Sequence, residues 1–249
     1  HDDHRKSTKR WSHALRQAVN KFLLEGAQCG VEPALLLLDG QVLPVRWHAD
    51  VLAQPRLHHA QLPLGAVGGQ HGDNAVALLG KLGVLGMHLD GYGCAGSSAV
   101  AYGLACLELE AVDSGLRSLV SVQGSLAMFA IHHYGSEEQK QEWLPRMATG
   151  EVIGCFGLTE PDFGSNPSGM RTFARRDGED WILNGTKMWI TNGGVASVYV
   201  VFARMETEHK HTGTVAIVVP ADVPGISHNK LHGKMGQRCS YTAEMIFEN

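Results

Sequence analysis

The sequence predicts an α+β protein, with an N-terminal all-α helical domain followed by an antiparallel β-barrel or sheet. Two changes of pattern carry that reading. From Ala75 to about Thr149 apolar residues recur at helical spacing, and beyond Cys155 the period shortens to two in β-branched and aromatic runs. Between them lies CFGLTEPDFGSNPSGM (Cys155 to Met170), dense in small polar residues and glycine. Loops of that composition hold ligands through backbone N–H groups and short hydroxyls, and a boundary between two domains is where a ligand sits.

The chain has 249 residues, 44% hydrophobic and 18% charged, the composition of a soluble globular protein able to bury a core. A formal net charge of -4 offers no general attraction to nucleic acid or an anionic membrane, so neither partner is expected. No run reaches the ~18 apolar residues of a membrane span, and membrane insertion is not expected either. The five cysteines form no CxxC pair, which argues against a zinc site or a disulfide framework; no metal is expected.

In chain order, Trp11, Leu15, Val19, Phe22 and Leu23 follow Ser7 and Thr8 at helical spacing and precede Gly26, which predicts an amphipathic helix with a cap and a stop. Residues 27–74 hold no sustained period. Seven of the 14 histidines (His1, His4, His13, His48, His58, His59, His71) fall before residue 75, but without an HxxxH or HExxH pair the segment reads as irregular rather than metal-binding. Residues 1–74 are therefore one helix plus an irregular stretch, 75–153 a helical domain and 154–249 a β-domain. Within the helical domain, AVALLGKLGVLGMHL, SSAVAYGLACLELEAVD and SGLRSLVSVQGSLAMFAIHHYG read as helices, and Ser136 caps another over SEEQKQEWLPRMATG.

Three constellations could carry chemistry. Asn184-Gly185 suits a type I′ hairpin turn, so the returning strand Thr186 to Thr191 alternates and puts Trp189 and Thr191 on one face. An indole beside a hydroxyl suits a flat heteroaromatic ring; a core tryptophan in a half-buried strand is the competing reading. Gly91-Tyr92-Gly93-Cys94-Ala95-Gly96 matches GxGxxG with Asp113 twenty residues past Gly93, yet what precedes it reads as helix, favouring a glycine-rich turn between helices over a dinucleotide fold. Glu110, Arg117 and Ser121 surround a helix break at Asp113, where Arg117 either clamps a ligand carboxylate or pairs with Glu110 or Asp113.

CFGLTEPDFGS, RRDGEDWILNGTKMWITNGG and KMGQRCS, in that order, resemble the acyl-CoA dehydrogenase family of flavoproteins from about Ala75 onward. GYGCAG, ELEAVDSGLRS and VQGSLAMFAIHHYGSEEQKQ are most similar to its glutaryl-CoA dehydrogenase branch, MGQRCS to medium-chain relatives. The resemblance implies FAD as cofactor, with Phe156, Leu158 and Thr159 bordering the pyrimidine side and Gly164 and Ser165 near the phosphates and the acyl-CoA. It also implies Trp189, Ile190 and Thr191 along the isoalloxazine, the threonine hydroxyl reaching N5. Glu110, Arg117, Ser118 and Ser121 would surround the distal carboxylate of the substrate. Phe163 and Asn166 depart from the family's small residue and Asp. The implied activity is α,β-dehydrogenation of an acyl-CoA, glutaryl-CoA with decarboxylation to crotonyl-CoA. The alternatives are a short- or medium-chain substrate or a truncated flavin-binding remnant.

The family's catalytic base and C-terminal helical bundle are expected beyond Asn249, so no catalytic residue is assigned within the chain. An electron-transfer acceptor protein, a homo-oligomer for the full-length protein, and a bacterial cytoplasmic or mitochondrial-matrix location are also implied.

Overall fold

The computed structural model describes residues 70–206 and 212–248, so the helix expected around Trp11 to Leu23 and the histidine-rich stretch before Gln70 lie outside the described residues. The helices are α1 (Gln70–Lys81), α2 (Ala99–Val112), α3 (Ser114–Ser121), α4 (Phe129–Tyr134) and α5 (Glu137–Thr149), with a π-helical segment, Val122–Met128, joining α3 to α4. Then come strands β1 (Gly154–Gly157), β2 (Phe173–Asp177), β3 (Asp180–Thr191), β4 (Val198–Glu206), β5 (Thr212–Pro220), β6 (Ile226–Lys230) and β7 (Thr242–Phe247).

The helix ends follow local chemistry. Ser98 caps α2 by accepting from the Ala101 N–H, and Asp113 caps α3 by accepting from the Gly115 N–H at 2.6 Å. Ser136 and Gln139 form the reciprocal capping box of α5, which stops at Gly150 in the left-handed region. The first expected helix is cut short. After Lys81 the apolar run turns at Gly83 (φ 67°) and Gly86 (φ 65°), and Val84, Leu85, Met87 and Leu89 are buried along the turns. A run buried on all sides looks the same to periodicity whether it is helix or loop.

The β-half is one curled, mostly antiparallel sheet in the order β1-β4-β2-β3-β7-β6, with β5 on β4. Two pairings are parallel rather than antiparallel, β1 with β4 and β2 with β4, so the sheet is mixed. β1 follows α5 after a short link and lies beside β4 in the same direction. Of the two turn dipeptides in this stretch, Asp177-Gly178 and Asn184-Gly185, only the first turns, and the hairpin expected at the second does not form. Asp177-Gly178 makes the β2–β3 turn, with Gly178 at φ 65°, whereas Asn184-Gly185 lies inside the continuous strand β3. Gly185 is needed there for space, since a Cβ would come within 2.5 Å of Thr172 Oγ1.

Helices and sheet meet at the start of β1. Buried Gln123, in the π-helical segment, donates through Nε2 to Met147 O (3.1 Å) and Val152 O (2.8 Å) and accepts the Gly154 N–H at 2.7 Å. Asn192 Nδ2, from the end of β3, donates to Gly154 O at 3.3 Å. Both backbone groups of Gly154 are thus held by buried amides, and a Cβ there would sit 2.6 Å from Met147 Cε. The seam fixes where β1 leaves the helices and so where the loop after it begins.

Candidate functional site

The loop from Leu158 to Met170 is built by two short turns. Glu160 and Phe163 exchange backbone bonds (3.1 and 3.2 Å), and Pro167–Gly169 forms a single 3-10 turn preceded by Asn166, whose Oδ1 accepts from Ser168 Oγ at 3.1 Å. The Phe163 ring lies over Gly169, where a Cβ would be 2.2 Å from Cε1, with the Arg171 guanidinium 5.6 Å from the ring centre. Between the turns Gly164 and Ser165 are exposed, and nothing lies within 4 Å of where a Gly164 Cβ would be. The backbone is therefore open there, beside the Ser165 hydroxyl.

The loop is fastened to β3 by a buried ion pair. Lys187, fully buried, donates through Nζ to Glu160 Oε1 at 2.8 Å and to Leu158 O at 3.1 Å. Glu160, 4% exposed, also accepts the N–H groups of Arg171 (2.5 Å) and Thr172 (2.9 Å). Burial alone would raise the Glu160 carboxyl, but the Arg171 N–H, Lys187 and the Thr172 N–H outweigh it and hold the group below its ordinary value. Burial pushes the Lys187 ammonium down, with Glu160 opposing.

Directly after Lys187 the β3–β7 ladder slips. Lys187 pairs with Met245 and Ile190 with Ala243, leaving Met188 and Trp189 as a bulge. The Met188 N–H, released from the ladder, donates to Thr159 O at 2.8 Å. Trp189 takes φ 61°, a conformation that costs an ordinary residue about 1–2 kcal/mol, and the residue is 63% exposed. Strict alternation from Thr186 therefore does not hold, because Lys187 and Ile190 are both buried. Trp189 and Thr191 nonetheless flank buried Ile190, one exposed and one half-buried.

Each expected site residue has a definite place. Phe156, half-buried on β1, packs on Phe202 with ring centres 4.8 Å apart. Leu158 and Thr159 are held through their carbonyls, as above. The Ile190 side chain lies in the sheet core with Cys155, Tyr199, Ala243 and Met245. An exposed tryptophan of this size is unusual for a sheet, and the core-tryptophan alternative does not apply.

A second group lies on α2 and α3. Arg117 Nε donates to Glu110 Oε2 at 2.7 Å, a half-exposed ion pair. Ser118 and Ser121 are half-buried on α3. Asp113 is neither a ribose ligand nor Arg117's partner; it caps α3 and accepts the Cys239 thiol, which burial and this contact push up to about 12. The strand required before a dinucleotide loop is absent among the described residues, and Gly91, Tyr92, Gly93 and Gly96 all take positive φ in a turn between α1 and α2.

Sequence reasoning missed the Lys187–Glu160 pair. A lysine within the apolar run TKMWIT, with an acid in the preceding loop, was the available signal. It also missed Tyr102 on α2, whose hydroxyl accepts from Ser125 Oγ (2.9 Å) and whose ring lies 4.8 Å from His88. Among the described residues no group of three or more His, Cys, Asp or Glu could hold a metal, and no helix is long and apolar enough to cross a membrane.

The described chain is thus a run of helices followed by a curled mixed sheet, with an open loop after β1 and an exposed tryptophan on β3. Two domain models match the chain: the acyl-CoA dehydrogenase N-terminal domain over residues 60–151 and the middle domain over 155–249. The chain belongs to the acyl-CoA dehydrogenase family and carries these two domains. It is 39% identical over 175 residues to the mouse mitochondrial short-chain specific acyl-CoA dehydrogenase, covering 70% of this chain and 42% of that protein. It is 63% identical to a glutaryl-CoA dehydrogenase from Mycobacterium smegmatis solved in complex with FADH2, with a TM-score of 0.68 over 71% of this chain and 45% of that one. A chain in a structure of the electron transferring flavoprotein of Acidaminococcus fermentans matches at 40% identity and TM-score 0.66, covering 70% of this chain and 46% of that one. The chain thus spans less than half the length of these relatives.

Proposed function

We propose that the chain forms the FAD- and acyl-CoA-binding part of a flavin-dependent acyl-CoA dehydrogenase. The observation that carries the reading is Trp189, held out from a bulge at the foot of an open glycine-serine loop. The residues present fit the group: an exposed indole packs on a flat ring, the Thr191 hydroxyl beside it can bond a ring nitrogen, and the open backbone at Gly164-Ser165 leaves room for phosphates. When bound, FAD supplies the acceptor for the hydride leaving the β-carbon of the thioester. The protein's part is to hold the acyl chain against the ring and to keep water out.

Glu160 is not the base that removes the α-proton, because both its oxygens are already bonded to Arg171, Thr172 and Lys187. Electrons leave through an acceptor protein, a reading supported by the electron transferring flavoprotein neighbour.

Glutaryl-CoA is the proposed substrate. The Arg117–Glu110 pair uses Nε, leaving the terminal nitrogens of the guanidinium to face a distal carboxylate, with Ser118 and Ser121 on the same helix. The 63% identical mycobacterial relative supports this choice. The closed 2.7 Å pair favours a second reading, in which Arg117 is structural and the substrate is a short-chain acyl-CoA.

Titrating FAD into the chain tests the cofactor. Flavin fluorescence should be quenched in the micromolar range, and Thr191→Val should weaken binding by about 0.5–1.5 kcal/mol. No quenching by the wild-type chain at high micromolar concentration refutes the flavin reading. Arg117→Met should then weaken glutaryl-CoA binding to the flavin-loaded chain about tenfold while sparing butyryl-CoA, and equal losses would favour the short-chain reading.

A further inference from the structure

Replacing a buried ion pair by apolar residues of similar volume is often neutral or stabilising, so bulk stability alone gives no reason to bury Lys187 and Glu160. Their contacts have a different pattern. Four hydrogen bonds converge on the pair, and they tie three separate segments together: Leu158–Glu160, Arg171–Thr172 and the end of the regular part of β3. One residue further on, the Met188 N–H reaches Thr159 O and the strand bulges. The next residue is Trp189, in a backbone conformation that persists only where its surroundings impose it.

We infer that Lys187 and Glu160 form a positioning pair, which builds the ring-binding surface before any ligand arrives by holding the loop floor at Leu158 and Thr159 against the bulge that presents Trp189. The inference rests on the flavin reading of that surface. Neither side chain touches the ring. Lys187 acts through the Leu158 carbonyl, and Glu160 acts through the amides of Arg171 and Thr172, which close the loop from its far end. With the pair in place the Thr159 carbonyl meets the Met188 N–H; without it the strand regains a regular ladder and the indole turns back toward the sheet.

The double variant Glu160→Gln/Lys187→Met removes both charges at nearly constant volume, so no unpaired ion is left buried. It should still unfold cooperatively by circular dichroism, yet bind FAD at least tenfold more weakly than wild type by flavin quenching. In the ligand-free protein, hydrogen exchange at Arg171, Thr172 and Met188 should be faster in the variant than in wild type, which reads the loop without reference to any cofactor. Wild-type quenching absent altogether refutes the flavin reading itself, whereas a folded variant that binds FAD as wild type does, with unchanged exchange, overturns only the positioning role. Wild type supplies an independent check that does not depend on the variant folding. The three amides should be protected to the same degree with and without FAD, and protection that appears only on adding FAD overturns the inference.

Discussion

Two glycine-rich loops in this molecule look alike in sequence and are held by different forces. The Gly91–Gly96 loop closes on itself and its near surface: Cys94 N–H donates to Gly91 O, Gly96 N–H to Leu89 O, and the Tyr92 hydroxyl to Glu137 at 2.9 Å. Its shape follows from four residues at positive φ, a local property. The loop after β1 depends instead on a buried charge from a strand, whereas the long-range Tyr92–Glu137 contact of the first loop is exposed. A loop of the first kind is a connector, and one of the second kind is kept in a set relation to a distant surface, as a binding site requires.

Breaking that difference should give unequal costs. The largest effect belongs to Lys187→Met alone, which leaves Glu160 buried without its cation and should destabilise the chain by about 3–5 kcal/mol in urea unfolding. The acid limb of stability comes next. Because the folded Glu160 carboxyl titrates below its ordinary value, its contribution is fully present above the ordinary carboxylate range and is lost as pH falls through the folded value. Melting temperature measured down an acid series should therefore drop in wild type, and the Glu160→Gln/Lys187→Met variant should show a shallower drop. A wild-type and variant pair with parallel acid limbs would show that other carboxylates dominate.

Smaller effects belong to the first loop. Gly93→Ala puts a Cβ at φ 82° with only Ala148 near, at 3.8 Å, so the cost is backbone strain alone, about 1 kcal/mol by urea midpoint. Tyr92→Phe removes an exposed hydroxyl contact and should leave the midpoint unchanged within error. If Tyr92→Phe proved as costly as Lys187→Met, the contrast between the loops would fail.

Much of this was legible in the residues. Change of hydrophobic period marks where helices give way to strands, Ser136 and Gln139 announce the capping box, and the glycine turn at Gly91 was separable from a dinucleotide loop because no strand pattern precedes it. Turn chemistry was legible only in part. Asp177-Gly178 and Asn184-Gly185 are equivalent signals, and only the β2–β3 register shows that the first of them turns.

What the sequence determined by itself is local or cumulative: helical and strand segments, caps, and a loop too small and polar to pack. Period, side-chain volume and φ preference act over a few residues and need no partner. The tertiary structure alone decided that β1 runs parallel to β4, that Arg117 pairs with Glu110, that Ile190 turns into the core, and that Trp189 faces out. Each depends on groups brought together from far along the chain, and the bulge that exposes Trp189 exists because a backbone N–H found Thr159 rather than its own ladder.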